Sequence, residues 1–149
     1  MIRIELPWLP PSSNHAYMNV RGGGGRTLTE AGREFKKRTT VHIQQKYPTA
    51  MRLFVKNKPY MIVFRFYFEE VENKSFGQGK AENRYKTFDG GNRTKLLEDA
   101  LKDAGGIDDS QTMISIWQKE QGTPERTIIW AWSLEDEKPL PYELLRSLQ

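Results

Sequence analysis

Asp89-Gly90-Gly91-Asn92-Arg93-Thr94-Lys95-Leu96-Leu97-Glu98-Asp99-Ala100-Leu101, continued by Gly105-Gly106-Ile107-Asp108-Asp109-Ser110-Gln111, decides how this 149-residue chain is read. Asn92, Lys95, Leu96 and Asp99 stand at i, i+3, i+4 and i+7, which is one face of a helix over about 92–104. Gly90-Gly91 frees the backbone to enter that helix, and Gly105-Gly106 ends it. Asp108-Asp109-Ser110 then reads as a turn leading into a strand. Two carboxylates from separate loops, Asp89 and Asp109, are thereby brought toward one helix end. Hard divalent cations take oxygen ligands, usually one or two from protein, with water and phosphate completing the set. The spacing also admits a plainer reading, in which Asp89 caps the helix, Lys95 and Asp99 form an i,i+4 ion pair, and Asp-Asp-Ser is an ordinary turn.

Charge separates this stretch from the rest. Residues 89–109 hold six acids (89, 98, 99, 103, 108, 109) and three bases (93, 95, 102), a net of −3 in a chain whose total is +4. Residues 1–58 carry eleven Lys and Arg against three acids, and residues 59–149 twelve against sixteen. An acidic focus in a basic frame suits chemistry on phosphates: the frame attracts them and the focus holds a cation. Arg21, Arg26, Arg33, Lys36, Lys37 and Arg38 lead the basic portion and are the candidate phosphate contacts, extended by Lys86 and Arg93 beside the signature. A solvated helix face with lysines gives the same count.

Outward from the signature, the elements alternate. Ile2–Leu6 reads as a strand, and Pro7, Pro10 and Pro11 follow it as an extended crossover. Tyr17–Val20 and Arg26–Leu28 flank Gly22–Gly25 as a hairpin with a flexible tip. Thr29 is the expected N-cap of a helix running to about Lys46, with Phe35, Val41 and Tyr47 as apolar candidates and Pro48 closing it. Tyr60–Glu69 is the strongest strand, with Ile62, Phe64, Phe66 and Phe68 on one face and Val63, Arg65 and Tyr67 on the other. Residues 70–88 read as a long loop delivering Lys74, Lys80, Arg84 and Lys86 beside Asp89. Gln111–Glu120 and Thr127–Ser133 are expected to pair as a hairpin, with Trp130 and Trp132 in core or at a dimer surface. A short helix is expected at Pro141–Leu148. The reading is a single α+β domain over residues 1–149, a mixed β-sheet packed with helices.

Composition sets the outer bounds. Hydrophobic content of 37% with seven Phe, six Tyr and four Trp describes a folded domain of polar surface. No apolar run reaches a membrane span, and no leader pattern is read at the start, so a chain without membrane attachment and a cytoplasmic location are expected. Zero cysteines exclude a disulfide framework and thiolate zinc sites. The two histidines, His15 and His42, are too far apart for a histidine metal motif.

Three motifs together resemble one family. Leu6-Pro7-Trp8-Leu9-Pro10-Pro11-Ser12-Ser13-Asn14-His15-Ala16-Tyr17 is similar to an LPxPPSxNxxY opening. Arg26-Thr27-Leu28-Thr29-Glu30-Ala31-Gly32, then Phe35-Lys36, resembles its entry into the first helix. The Asp89 to Gln111 stretch resembles its catalytic signature. The family is RusA, Holliday-junction resolvases found on phages and prophages. The resemblance implies a homodimer that cuts four-way DNA junctions by paired symmetric nicks in recombination and repair, using Mg²⁺ with Mn²⁺ as a substitute. It implies Asp89 and Asp109 as metal ligands, with Asp99 and Asp108 as further candidates, and Lys95 and Asn92 beside them as catalytic groups. Gly91 stands where the best-known members carry a second aspartate. Either Glu98, Asp99 or Asp108 compensates, or the chain recognises branched DNA without cutting it; action on other branched substrates is a further alternative.

Overall fold

The computed structural model describes residues 1–20, 22, 24–52, 54, 58–88 and 90–135. The expectations placed on Arg21, Asp89 and the helix at 141–148 therefore lie outside the described residues. In chain order the elements are β1 (Ile2–Leu6), α1 (Ser13–Ala16), β2 (Tyr17–Asn19), β3 (Arg26–Leu28), α2 (Glu30–Lys46), α3 (Pro48–Arg52), β4 (Tyr60–Phe68), α4 (Gly90–Gly105), a 3-10 turn (Asp109–Gln111), β5 (Thr112–Gln121) and β6 (Arg126–Ser133). The mixed α+β reading holds. None of the described helices is long and apolar enough to cross a membrane.

The main sheet runs β1-β6-β4-β5, and β2-β3 form a separate hairpin. β6 is antiparallel to β1 and β4, whereas β5 runs parallel to β4. The expected β5–β6 hairpin is thus wrong, because β4 lies between the two. Tyr60–Phe66 is buried at every position, so it needs a partner on each edge and cover on each face. The link at 122–125 crosses the end of β4, where Gly122 N–H donates to the Phe68 carbonyl at 2.8 Å. Four residues reach about 13 Å, and two strand spacings are about 10 Å, so a hairpin-length connection suffices for the jump.

Alternation on β4 sorts the core. Ile62, Phe64 and Phe66 join Ile2, Ile4 and Leu6 of β1 and Ile129 and Ala131 of β6 beneath α2 and α4. Leu96, Leu97 and Leu101 of α4 and Phe35 and Ile43 of α2 close that layer. On the opposite face Met61, Val63, Ile128, Trp130 and Trp132 make a second cluster, so both tryptophans are core. Thr29 caps α2 as expected, its hydroxyl accepting from Gly32 N–H at 3.1 Å. Gly32 is required because a Cβ there would overlap the Ala16 carbonyl. Two expectations for α2 change. Val41 is 41% exposed, on the flank turned away from the sheet. Pro48 ends α2 but opens α3, since proline fits a first helical turn.

Candidate functional site

α4 connects β4 to its parallel neighbour β5, so its two flanks face different surroundings. Gly90 lies flat against Trp117 of β5, and any side chain there would overlap the indole. Leu96, Leu97, Ala100 and Leu101 point inward. Lys95 and Asp99 remain on the open side, 3.6 Å apart. The turn after α4 folds back so that the Asp109 carboxylate also accepts from Lys95 Nζ. One ammonium therefore bridges a helix carboxylate and a turn carboxylate.

The electrostatics follow from that arrangement. The bond from Asp109 raises the Lys95 pKa, with Asp99 and Glu98 adding to it against partial burial. Glu98 lies on the β5 flank, where its carboxylate accepts from Ser115 at 3.4 Å. Burial first, and then the nearby Asp109 and Asp99 charges, push its pKa up against the pull of Lys95. Lys95 and Asp109 are 46% and 51% exposed, and ion pairs so open to water contribute only about 0–1 kcal/mol to stability. Stability alone does not explain the cluster.

Asp108, one of the candidate ligands, caps the turn in this structure. Its side chain accepts from Ser110 N–H at 3.1 Å and pairs with Lys102. Gln111 completes a capping box by accepting from Asp108 N–H at 3.0 Å. These bonds hold the Asp108 carboxyl well below the usual carboxylate range, Lys102 being the largest cause. The cap orients the 3-10 turn that presents Asp109. The plainer sequence reading is also present here: Lys95–Asp99 is an ion pair and Asp108 caps a turn.

Tyr17 was not singled out as a site residue, and the structure brings it to this one. It starts β2, paired with Leu28, and its hydroxyl oxygen is buried without a hydrogen-bond partner. Burial raises its pKa, the Asp99 charge adds to the rise, and Lys95 opposes it. Its position at the end of the opening motif was the only signal in the sequence; the burial of its oxygen depends on how the hairpin meets α4.

The candidate DNA contacts divide. Arg26 is exposed on β3, and Arg33 is exposed on α2, where it donates to the Leu28 carbonyl at 2.6 Å. Lys37 is exposed with Trp8, Arg38 and His42 along a groove on the outer flank of α2, and Arg38 stacks 4.1 Å above the Trp8 ring. Lys36 instead pairs with Asp103 of α4 at 2.8 Å, which ties the two helices together. Arg93 donates to the Pro10 carbonyl and stacks 5.1 Å from the Phe88 ring, anchoring the proline-rich segment. Lys86 and Lys74 share Glu70, and Arg84 binds Glu72, so most of the 70–88 cations are countered within their own loop. Asn92 is half-buried in the first turn of α4.

Among the described residues, no group of three or more His, Asp or Glu is placed to hold a metal ion. Asp99 and Asp109 do offer an oxygen-only donor pair at an open rim, with a cationic group already seated between them. That chemistry fits a hard cation, which needs only one or two protein carboxylates. Paired carboxylates and a lysine at the rim of a basic domain are the parts that phosphodiester chemistry employs, and the class they suggest is a small α+β domain working on phosphate esters. Residues 7–130 match the family described as endodeoxyribonuclease RusA, so the chain belongs to the RusA family and is a nuclease in the broad sense of that family. No curated protein matches the chain.

Proposed function

We propose that this chain is a divalent-cation-dependent endodeoxyribonuclease that resolves four-way DNA junctions. The observation that carries the reading is the Lys95 bridge between Asp99 and Asp109, in a chain of this family. Asp109 and Asp99, together with Asp89, would hold Mg²⁺, with Mn²⁺ as a substitute. A divalent ion bound there supplies charge neutralisation for the phosphate and makes a water ligand more acidic.

The chain's own groups do the rest. Lys95 exchanges one of its carboxylate contacts for a non-bridging phosphate oxygen, meeting the charge that grows there during attack. Asn92, on the same face one turn earlier, orients the phosphate or the attacking water. The Tyr17 hydroxyl, buried without a partner close to Lys95 and Asp99, becomes a donor to a phosphate oxygen only once Lys95 has moved to the phosphate and opened its surroundings. Water adds to phosphorus and gives up one proton to solvent, the bond to the leaving sugar oxygen breaks, and that oxygen takes up a proton from solvent. Arg26, Arg33 and Lys37, with Arg21, offer the approaching backbone positive charge.

Two opposed strands must be nicked, which a symmetric dimer does directly. Among the described residues β5 is an edge strand that exposes Met113, Ile114 and Trp117, and we assign this edge to the second copy. A second reading, a binder of branched DNA without cleavage, is favoured by Gly91 alone, which offers no carboxylate. The test compares a labelled four-way junction, a flap and a linear duplex with Mg²⁺. Paired nicks confined to the junction are expected. Binding without any cleavage in Mg²⁺ or Mn²⁺ selects the second reading.

A further inference from the structure

A second cluster of charge lies at the N-terminal flank of α4. Phe68, Glu70, Lys86, Thr87, Phe88, Arg93 and Lys119 line a cavity of about 170 Å³. At about 30 Å³ per water molecule it has room for five or six, enough for a tetrahedral anion with its last waters. Among the described residues lining it, Lys86, Arg93 and Lys119 share the cavity with one carboxylate, Glu70, which Lys86, at 3.3 Å, and Lys74 both contact. Lys119 reaches in from β5, donating to the Lys86 backbone carbonyl at 2.6 Å. Its ammonium sits 6.0 Å from the Phe88 ring centre, and the Arg93 guanidinium 5.1 Å from the same ring.

Such an arrangement is unfavourable on its own terms. Lys86 and Glu70 are 49% and 43% exposed, but Lys119 is half-buried beside Lys86, and contact with an aromatic face offsets only part of that cost. Lys119 reflects this, its pKa lowered by burial first and by Lys86 second. An anion would relieve both. The cavity is lined by residues 86–88 and by Arg93 in the first turn of α4, so it lies at the N-terminal end of that helix.

We propose that this cavity is a phosphate seat for the DNA backbone, taking a phosphodiester next to the one being cut, with Lys119 as its central contact and Glu70 as a carboxylate that limits its affinity. The inference rests on the nuclease reading above. It adds a residue from β5 that no motif of the sequence marks, and it makes the Phe88 ring the floor on which a sugar edge rests. Glu70 would keep the seat from holding DNA after cleavage.

The test is equilibrium binding of a labelled four-way junction to the full chain, without divalent metal, between 50 and 200 mM salt. Each backbone phosphate neutralised contributes about 0.9 to the slope of log affinity against log salt. Lys119→Gln is expected to flatten the slope by about that amount. Glu70→Gln is expected to tighten binding several-fold, and Lys46→Gln, at the exposed end of α2, to resemble wild type. A wild-type slope in Lys119→Gln with no gain in Glu70→Gln overturns the seat while leaving the nuclease reading intact. A wild-type chain with no salt-dependent affinity overturns both. Titration with inorganic phosphate separates the two sources of this anion: tight, Lys119-dependent binding of free phosphate would contradict a backbone seat.

Discussion

The open face of α4 and its N-terminal flank carry charge in opposite ways. On the open face Lys95 is outnumbered by Asp99 and Asp109, and every group has a counter-charge within reach. On the flank, among the described residues, Lys86, Arg93 and Lys119 line a cavity with Glu70, and Arg93 and Lys119 rest on the Phe88 ring. The first cluster is complete without a ligand but stands half open to water, where ion pairs add little stability. The second is equally open at Lys86 and Glu70, 49% and 43% exposed, but tucks Lys119 partly inside, and among the described residues its cations outnumber its carboxylates. On the proposed reading, the first accepts a cation and exchanges contacts, and the second receives an anion. A DNA backbone bound with its metal would satisfy both from a single helix.

Breaking the first cluster should have the largest effect. Lys95→Met is expected to lower the cleavage rate at saturating junction by on the order of 10²–10³-fold, the size of losing one group that meets transition-state charge. Binding should change little. Cleavage near the wild-type rate would remove Lys95 from the chemistry.

Adding to the cluster sharpens the comparison from the other side. A Cβ at Gly91 meets nothing within 4 Å, and an aspartate in the first turn of a helix is electrostatically favoured. Gly91→Asp should lower the Mg²⁺ concentration for half-maximal cleavage by about tenfold or more, the scale on which carboxylates near a metal tune its affinity. An unchanged metal requirement would mean that the site is complete with the carboxylates it has.

Tyr17→Phe should produce the smallest change, and its two parts run in opposite directions. A buried hydroxyl without a partner costs about 1–3 kcal/mol, so its removal should raise Tm by roughly a few degrees. Cleavage should fall by about tenfold, since the phosphate loses a donor. A rise in Tm with full activity would leave Tyr17 as a packing residue only.

Local signals were legible in the sequence, and long-range ones were not. Alternation along Ile62, Phe64 and Phe66, and Thr29 ahead of Glu30, are written within a few residues, and β4 and α2 follow them. The pairing of β5 with β6 was misread because Gly122–Glu125 has hairpin length. The contrary signal was the unbroken apolar run Tyr60–Phe64, continued by Phe66, which asks for neighbours on both edges. The cap at Asp108 is also local, since Gln111 three residues later marks a capping box. Lys95 and Asp99 were legible as an i,i+4 pair, and Asp109 because the turn lies close in sequence. The Tyr17 hydroxyl belongs to a strand far from α4 in sequence, and Lys119, though on the strand that follows α4, reaches Lys86 and Phe88 only because β5 runs back parallel to β4.

The central claim is that the cluster around Lys95 is where DNA is cut, and Asp109→Asn tests it most directly. The variant keeps the shape and polarity of the side chain and removes its charge. Wild type with Mg²⁺ should nick a labelled mobile four-way junction symmetrically in two opposed strands. Asp109→Asn should bind the same junction and leave it uncut. Symmetric nicking by Asp109→Asn at the wild-type rate would contradict the claim and place the chemistry elsewhere on the molecule.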